Sequence, residues 1–210
     1  TYLVKLSGRE LSIKDSRVLS VLLHCIGDFE RISDHAVNIR DAAVEMHKKD
    51  LKFSEKAKQE LRVFSNAIRD ILDRAVMAFE TGDVELAKEV EPLEQVVDAL
   101  NKEEKQRHIN RLRTGTCTIE LGFILSDIST IFERAADHCS NIAVCLLQVD
   151  EGGFDTHEYL DILKEENSEE FQHEYMELSE SYSLPESKHT GKKEKIAKTE
   201  KMEARKDSGK

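Results

Sequence analysis

Residues 29–39 read FERISDHAVNI and residues 132–142 read FERAADHCSNI, so seven of eleven positions are identical at an offset of 103 residues. Without a gap the agreement runs backwards as apolar for apolar, with Val18, Val21, Leu22 and Cys25 opposite Leu121, Ile124, Leu125 and Ile128. A structural unit is repeated. Cys25, Phe29, Ile32, Ala36, Ile39 and Ala43 alternate steps of four and three, as do Ile128, Phe132, Ala135, Cys139, Ile142 and Leu146. That period is the buried stripe of a bundle helix, with Phe29 and Phe132 in the core.

On such helices Glu30, Asp34 and Asn38 fall roughly 140–220° from the centre of the stripe, as do Glu133, Asp137 and Asn141. The acidic row is therefore expected on the outside. Two carboxylates four residues apart repel by roughly 0.2–0.5 kcal/mol, and a bound cation would remove the repulsion. Pairing of Arg31 with Asp34 and of Arg134 with Asp137 would instead make an ordinary solvated face. His35 and His138 flank the row, as donors to its ligands or as plain surface histidines. Asn38 and Asn141 would orient a ligand water or simply be exposed.

The formal charge of −11 speaks against nucleic acid as a partner, since phosphates call for a basic face. Two prolines and nine glycines in 210 residues favour long helices. Cys25, Cys117, Cys139 and Cys145 show no C-x-x-C spacing, and three of them lie in or beside apolar stripes, as buried thiols of a reducing compartment do. No signal peptide is visible, and the longest charge-free run, Cys139 to Val149, is too short to span a bilayer. The chain opens at Thr1 as if inside a helix, so an upstream part is expected.

Gly8 closes the opening segment, and Ser12 with Asp15 resembles a capping box for a helix reaching about Lys48. Ser54 caps the next, with the stripe Ala57, Leu61, Phe64, Ile68, Ile71, Ala75 and Phe79, ending at Gly82. Short links predict antiparallel packing against sequence neighbours. Asp83 begins a helix towards Leu112 that Pro92 should kink or interrupt. Glu94 and Asp98 repeat the acidic spacing there, beside the apolar stripe. The second motif helix runs from about Thr118 to Val149, and the offset places a third helix at 157–184. After Pro185 little is left to bury, which predicts a disordered tail.

The paired stretches resemble the E-R-x-x-D-H-x-x-N-I signature of PhoU-type domains, helical proteins of two similar three-helix bundles associated with regulation of phosphate uptake. LKFSEKAKQEL, FETGDVELAKEVEPLEQVVDAL and RHINRLRTG resemble further segments of that family. The resemblance implies an all-α fold of two repeated antiparallel three-helix bundles with a truncated N-terminal helix. The units are residues 1–82 and 83–184, with 185–210 as the charged tail. It also implies a multinuclear iron or zinc cluster on the outer face, held by Glu30 and Asp34, Glu133 and Asp137, and Glu94 and Asp98. Oxygen ligands by themselves suit Fe, Mn, Mg or Ca better than structural zinc.

TYLVKLSGREL, ERAADHCSNIAVC and FDTHEYLD are most similar to the C-terminal cytosolic PhoU-type domain of bacterial sodium/phosphate cotransporters. That resemblance implies a regulatory domain without enzymatic activity on the cytoplasmic face of the inner membrane. It would be attached through an absent transmembrane region, with the transporter portion of the same chain or other phosphate-transport machinery, and a second copy, as partners. The alternatives are a free-standing PhoU-type regulator and a metal-free helical scaffold. A di-iron enzyme would need inward Glu and a Glu-x-x-His pair, whereas His35 and His138 follow their Glu by five residues.

Overall fold

The structure, a computed structural model, describes residues 2–151 and 169–185. Every regular element among them is a helix: α1 Tyr2–Ser7, α2 Ile13–Lys48, α3 Glu55–Thr81, α4 Val84–Lys88, α5 Val90–Arg113, α6 Ile119–Glu151 and α7 Glu169–Ser181. The expected tail from 186 onward, and the 157–168 part of the expected last helix, lie outside the described residues.

Local chemistry sets the ends. Ser12 Oγ accepts from the Asp15 amide at 3.1 Å and donates to Asp15 Oδ2 at 2.6 Å, starting α2. Ser54 Oγ accepts from the Ala57 amide at 3.3 Å to start α3, and Gly82, at φ 70°, ends it in the left-handed region that favours glycine. The helix expected from Asp83 to Leu112 is two: α4 stops at Lys88, and Pro92 sits in the first turn of α5. Early in a helix a proline lacks only an N–H that would be unpaired there anyway, so the break falls before the ring.

Helix α6 is the axis of the bundle. It packs against α2, α3, α4 and α5, and α5 also packs against α3 and α7. The core joins Phe64, Ile68, Ile71 and Ala75 of α3, Leu93, Val97 and Leu100 of α5, Ala136, Cys139 and Ala143 of α6, and Leu178 of α7. Each large apolar side chain buried there contributes about 1.5–3 kcal/mol. The Phe64 and Phe132 rings meet edge to face, with centroids 5.1 Å apart.

The pairing of sequence neighbours does not hold for α2, which lies along α6 and not along α3. Its direction is antiparallel to α6: Lys49 Nζ reaches Glu120 Oε1 at 2.7 Å, while Cys25 packs with Ile142 at the opposite end. Phe29 and Phe79, centroids 4.9 Å apart, join α2 to α3 at one point. The α2 stripe is consequently only partly covered: Cys25 is buried, Phe29, Ile32 and Ile39 are half-buried, and Ala36 and Ala43 are exposed. One long neighbour cannot cover a stripe that two would bury. In α6 the same register is better sheltered, with Ala135, Cys139 and Ile142 buried and Phe132 half-buried.

Gly122 of α6 has a packing role. A Cβ there would stand 2.6 Å from Nε2 and 2.9 Å from Cε1 of the buried His108 ring. Alanine in a helix normally gains about 1 kcal/mol over glycine. Here Gly122→Ala is expected to destabilise by about 1–3 kcal/mol through overpacking. Gly122→Ala combined with His108→Ala should recover most of that loss in urea unfolding.

Candidate metal centre

The motif helices meet where the repeat meets itself. His35 and His138, equivalent positions of the two copies, stack with ring centroids 5.6 Å apart and planes at 29°. Burial, then His138 and Arg134, lower the His35 pKa, which leaves its ring neutral at neutral pH. Asp28 Oδ1 lies 2.8 Å from His138 Nδ1 and accepts from Asn141 Nδ2 at 3.4 Å. His138 and Asn141 thus reach across the α2–α6 seam. Asp28 escaped the repeat-based reading because the position 103 residues on is Ile131.

Glu30, Asp34 and Asn38 stand exposed on α2. Helix α2 packs along α6 and α1, and α1, YLVKLS, carries no carboxylate. On α6, Glu133 is half-buried and Asp137 exposed, and Glu94 and Asp98 are half-buried on the adjoining α5. The α5–α6 packing brings these two acidic pairs together.

Asp137 is the focus of that group. Desolvation by the neighbouring side chains, then the charges of Asp98 and Glu133, raise its pKa, while Glu94 pulls the other way. Lys105 Nζ lies 3.5 Å from Glu133 Oε2 and Lys102 Nζ 3.3 Å from Asp98 Oδ2, offsetting part of the negative charge. Among the described residues no three His, Cys, Asp or Glu side chains already stand drawn together as metal ligands.

A second set of charges lies inside the bundle and was not anticipated. Glu60 has no exposed surface, and its carboxylate accepts from Arg107 at 2.9 Å and from Arg111. Arg111 also donates to the buried Glu104 at 2.8 Å, which accepts from Ser129 at 3.0 Å. Burial pushes the Glu104 carboxyl up. Arg107 further donates to the Pro185 carbonyl at 2.6 Å, holding the chain beyond α7 against α5. The sequence carried a signal: Val97, Asn101, Glu104 and His108 continue an apolar stripe at helical spacing with polar residues.

Residues 61–146 match the PhoU domain family. The chain resembles that family over about two fifths of its length. Over 140 residues it is 27% identical to the phosphate-specific transport system accessory protein PhoU homolog 1 of Thermotoga maritima, an alignment spanning 67% of this chain and 60% of the relative. The chain thus spans about 60% of the length of that curated relative. The PhoU match contains Glu94, Asp98, Glu133 and Asp137, and the first motif copy lies outside it. No helix among the described residues is long and apolar enough to cross a membrane.

Proposed function

We propose that this chain is a non-enzymatic regulatory domain of phosphate-transport machinery that works through cations held at Glu94, Asp98, Glu133 and Asp137. The observation that carries the metal reading is the crowding at Asp137, where desolvation and the neighbouring Asp98 and Glu133 carboxylates make its negative charge costly. Four acidic oxygen donors from two rigid helices suit a hard cation, and small rotamer changes would close them around it. Iron or zinc is the choice implied by the opening resemblance. When bound, the metal would supply positive charge and a coordination position for phosphate or an acidic partner surface. The protein's own residues gather the carboxylates, and Lys102 and Lys105 limit their repulsion.

The regulatory part of the proposal rests on the PhoU match and on the relative's name as a phosphate-specific transport system accessory protein. That name favours a free-standing accessory protein. The similarity of the opening and ERAADHCSNIAVC stretches to cotransporter C-terminal domains favours a cytosolic part joined to a transporter, which is the reading adopted here. A metal-free scaffold is the outcome if no cation binds.

Elemental analysis after chelator-free purification, followed by titration with Fe(II), Mn(II) and Zn(II), tests the metal. Glu133→Ala with Asp137→Ala is expected to weaken uptake by about tenfold or more, because affinity follows ligand charge. Glu30→Ala with Asp34→Ala should have a much smaller effect. Uptake should also fall as pH drops through the raised Asp137 pKa, since protons compete for the donor. The metal-free protein has the opposite sign: protonating Asp137 relieves a penalty, so this group adds stability as pH falls through its folded pKa. A protein that binds none of the three metals at neutral pH would overturn the metal reading.

A further inference from the structure

Four cysteines occur in the chain, all free, and two of them meet across the seam between the motif helices. Cys25 of α2 has no exposed surface and packs in a small apolar cluster with Val21 and Ile142, against which Cys145 of α6 is seated half-buried. The neighbouring thiol is in each case the leading cause that moves Cys25 above and Cys145 below the ordinary thiol range. Packing alone does not explain the pair: the repeat-equivalent positions, Ile128 and Ala42, hold apolar residues without sulfur. Nothing in the phosphate or metal reading uses these two side chains.

We propose that Cys25 and Cys145 are a modification site, a thiol pair that hydrogen peroxide converts to a reversible disulfide joining α2 to α6. Cys145 is the attacking group, because it is the more exposed and the more readily ionised of the two. Its thiolate attacks one peroxide oxygen, the O–O bond breaks, and hydroxide leaves, giving a sulfenic acid. The Cys25 sulfur then attacks the Cys145 sulfur, the S–O bond breaks, and the Cys25 proton leaves with the hydroxyl as water. Two electrons pass from the thiols to one peroxide, which becomes hydroxide and water. The bond closes the seam beside the Asp28–His138 contact, so oxidation restrains the motif helices relative to each other.

The test oxidises the full chain, folded and at neutral pH, with a small excess of hydrogen peroxide. The expected result is a mass loss of two hydrogens, two of the four thiols remaining titratable after unfolding, and a peptide map joining Cys25 to Cys145. Dithiothreitol should restore all four, and the oxidised form should melt at higher temperature than the reduced form. Cys25→Ser should stop the reaction at the sulfenic acid of Cys145, captured by a 1,3-diketone probe, and Cys145→Ser should abolish the cross-link. Four titratable thiols after treatment of the unsubstituted protein, or a cross-link through Cys117 or Cys139, would overturn the proposal.

Discussion

Glu60→Ala is expected to remove about 3–5 kcal/mol of stability, because it leaves two sheltered guanidinium groups facing an empty space instead of a carboxylate. The side chains of Arg107 and Arg111 are only 15% and 13% exposed, and Glu60 is fully enclosed between them. Arg107 loses its 2.9 Å bond yet stays fixed through the Pro185 carbonyl, so it cannot swing out to water without releasing that segment. The melting temperature should fall by about 10 °C, given about 2–4 °C per kcal/mol at this size. Glu60→Gln keeps the shape and some of the hydrogen bonds, and should lose less. Equilibrium urea unfolding measures both; a loss below about 1 kcal/mol for the alanine variant would mean the arginines find other partners.

Phe64→Ala should cost about 3–5 kcal/mol, the range for a fully enclosed aromatic ring. Phe64 has no exposed surface and supports Phe132, the first residue of the second motif copy, from α3. Removing it leaves a void under the turn of α6 that carries Glu133, so amide exchange around 129–137 should accelerate more than elsewhere in α6. Phe29→Ala is the internal comparison. Phe29 and its partner Phe79 are both half-buried, so less water-excluded area is lost and the destabilisation should be smaller. Equal losses in the two variants would show that the two copies are supported alike, contrary to their different burial.

Helix existence and helix ends were readable because they depend on neighbours within a turn or two. The Ser12, Ser54 and Asp83 caps and the Gly82 stop all act over two to four residues. The phase of the acidic rows was readable for the same reason, since a helix fixes the angle between Glu133 and Phe132 whatever it packs on. Partner choice was not. The α2 stripe could have met α3, its neighbour in sequence, but α6 occupies that role, and no local rule distinguishes two apolar stripes of the same period. Burial of Glu60 and Glu104 was hidden because charge normally marks the solvent side. The cations of Glu60 lie on another helix, α5, so only the assembled bundle shows that compensation.

The stacking of His35 on His138 has a consequence for symmetry. When equivalent residues of two repeats face one another on antiparallel helices, the seam has the form of an isologous contact, the kind two identical subunits make about a two-fold axis. Between separate identical chains any feature on one side must appear on the other. Inside one chain that constraint is lifted, and this seam departs from it: Asp28 bonds His138 and Asn141, while the reciprocal place holds Ile131 beside the half that carries His35 and Asn38. A covalent tandem can thus polarise a contact that a true homodimer would be obliged to build twice.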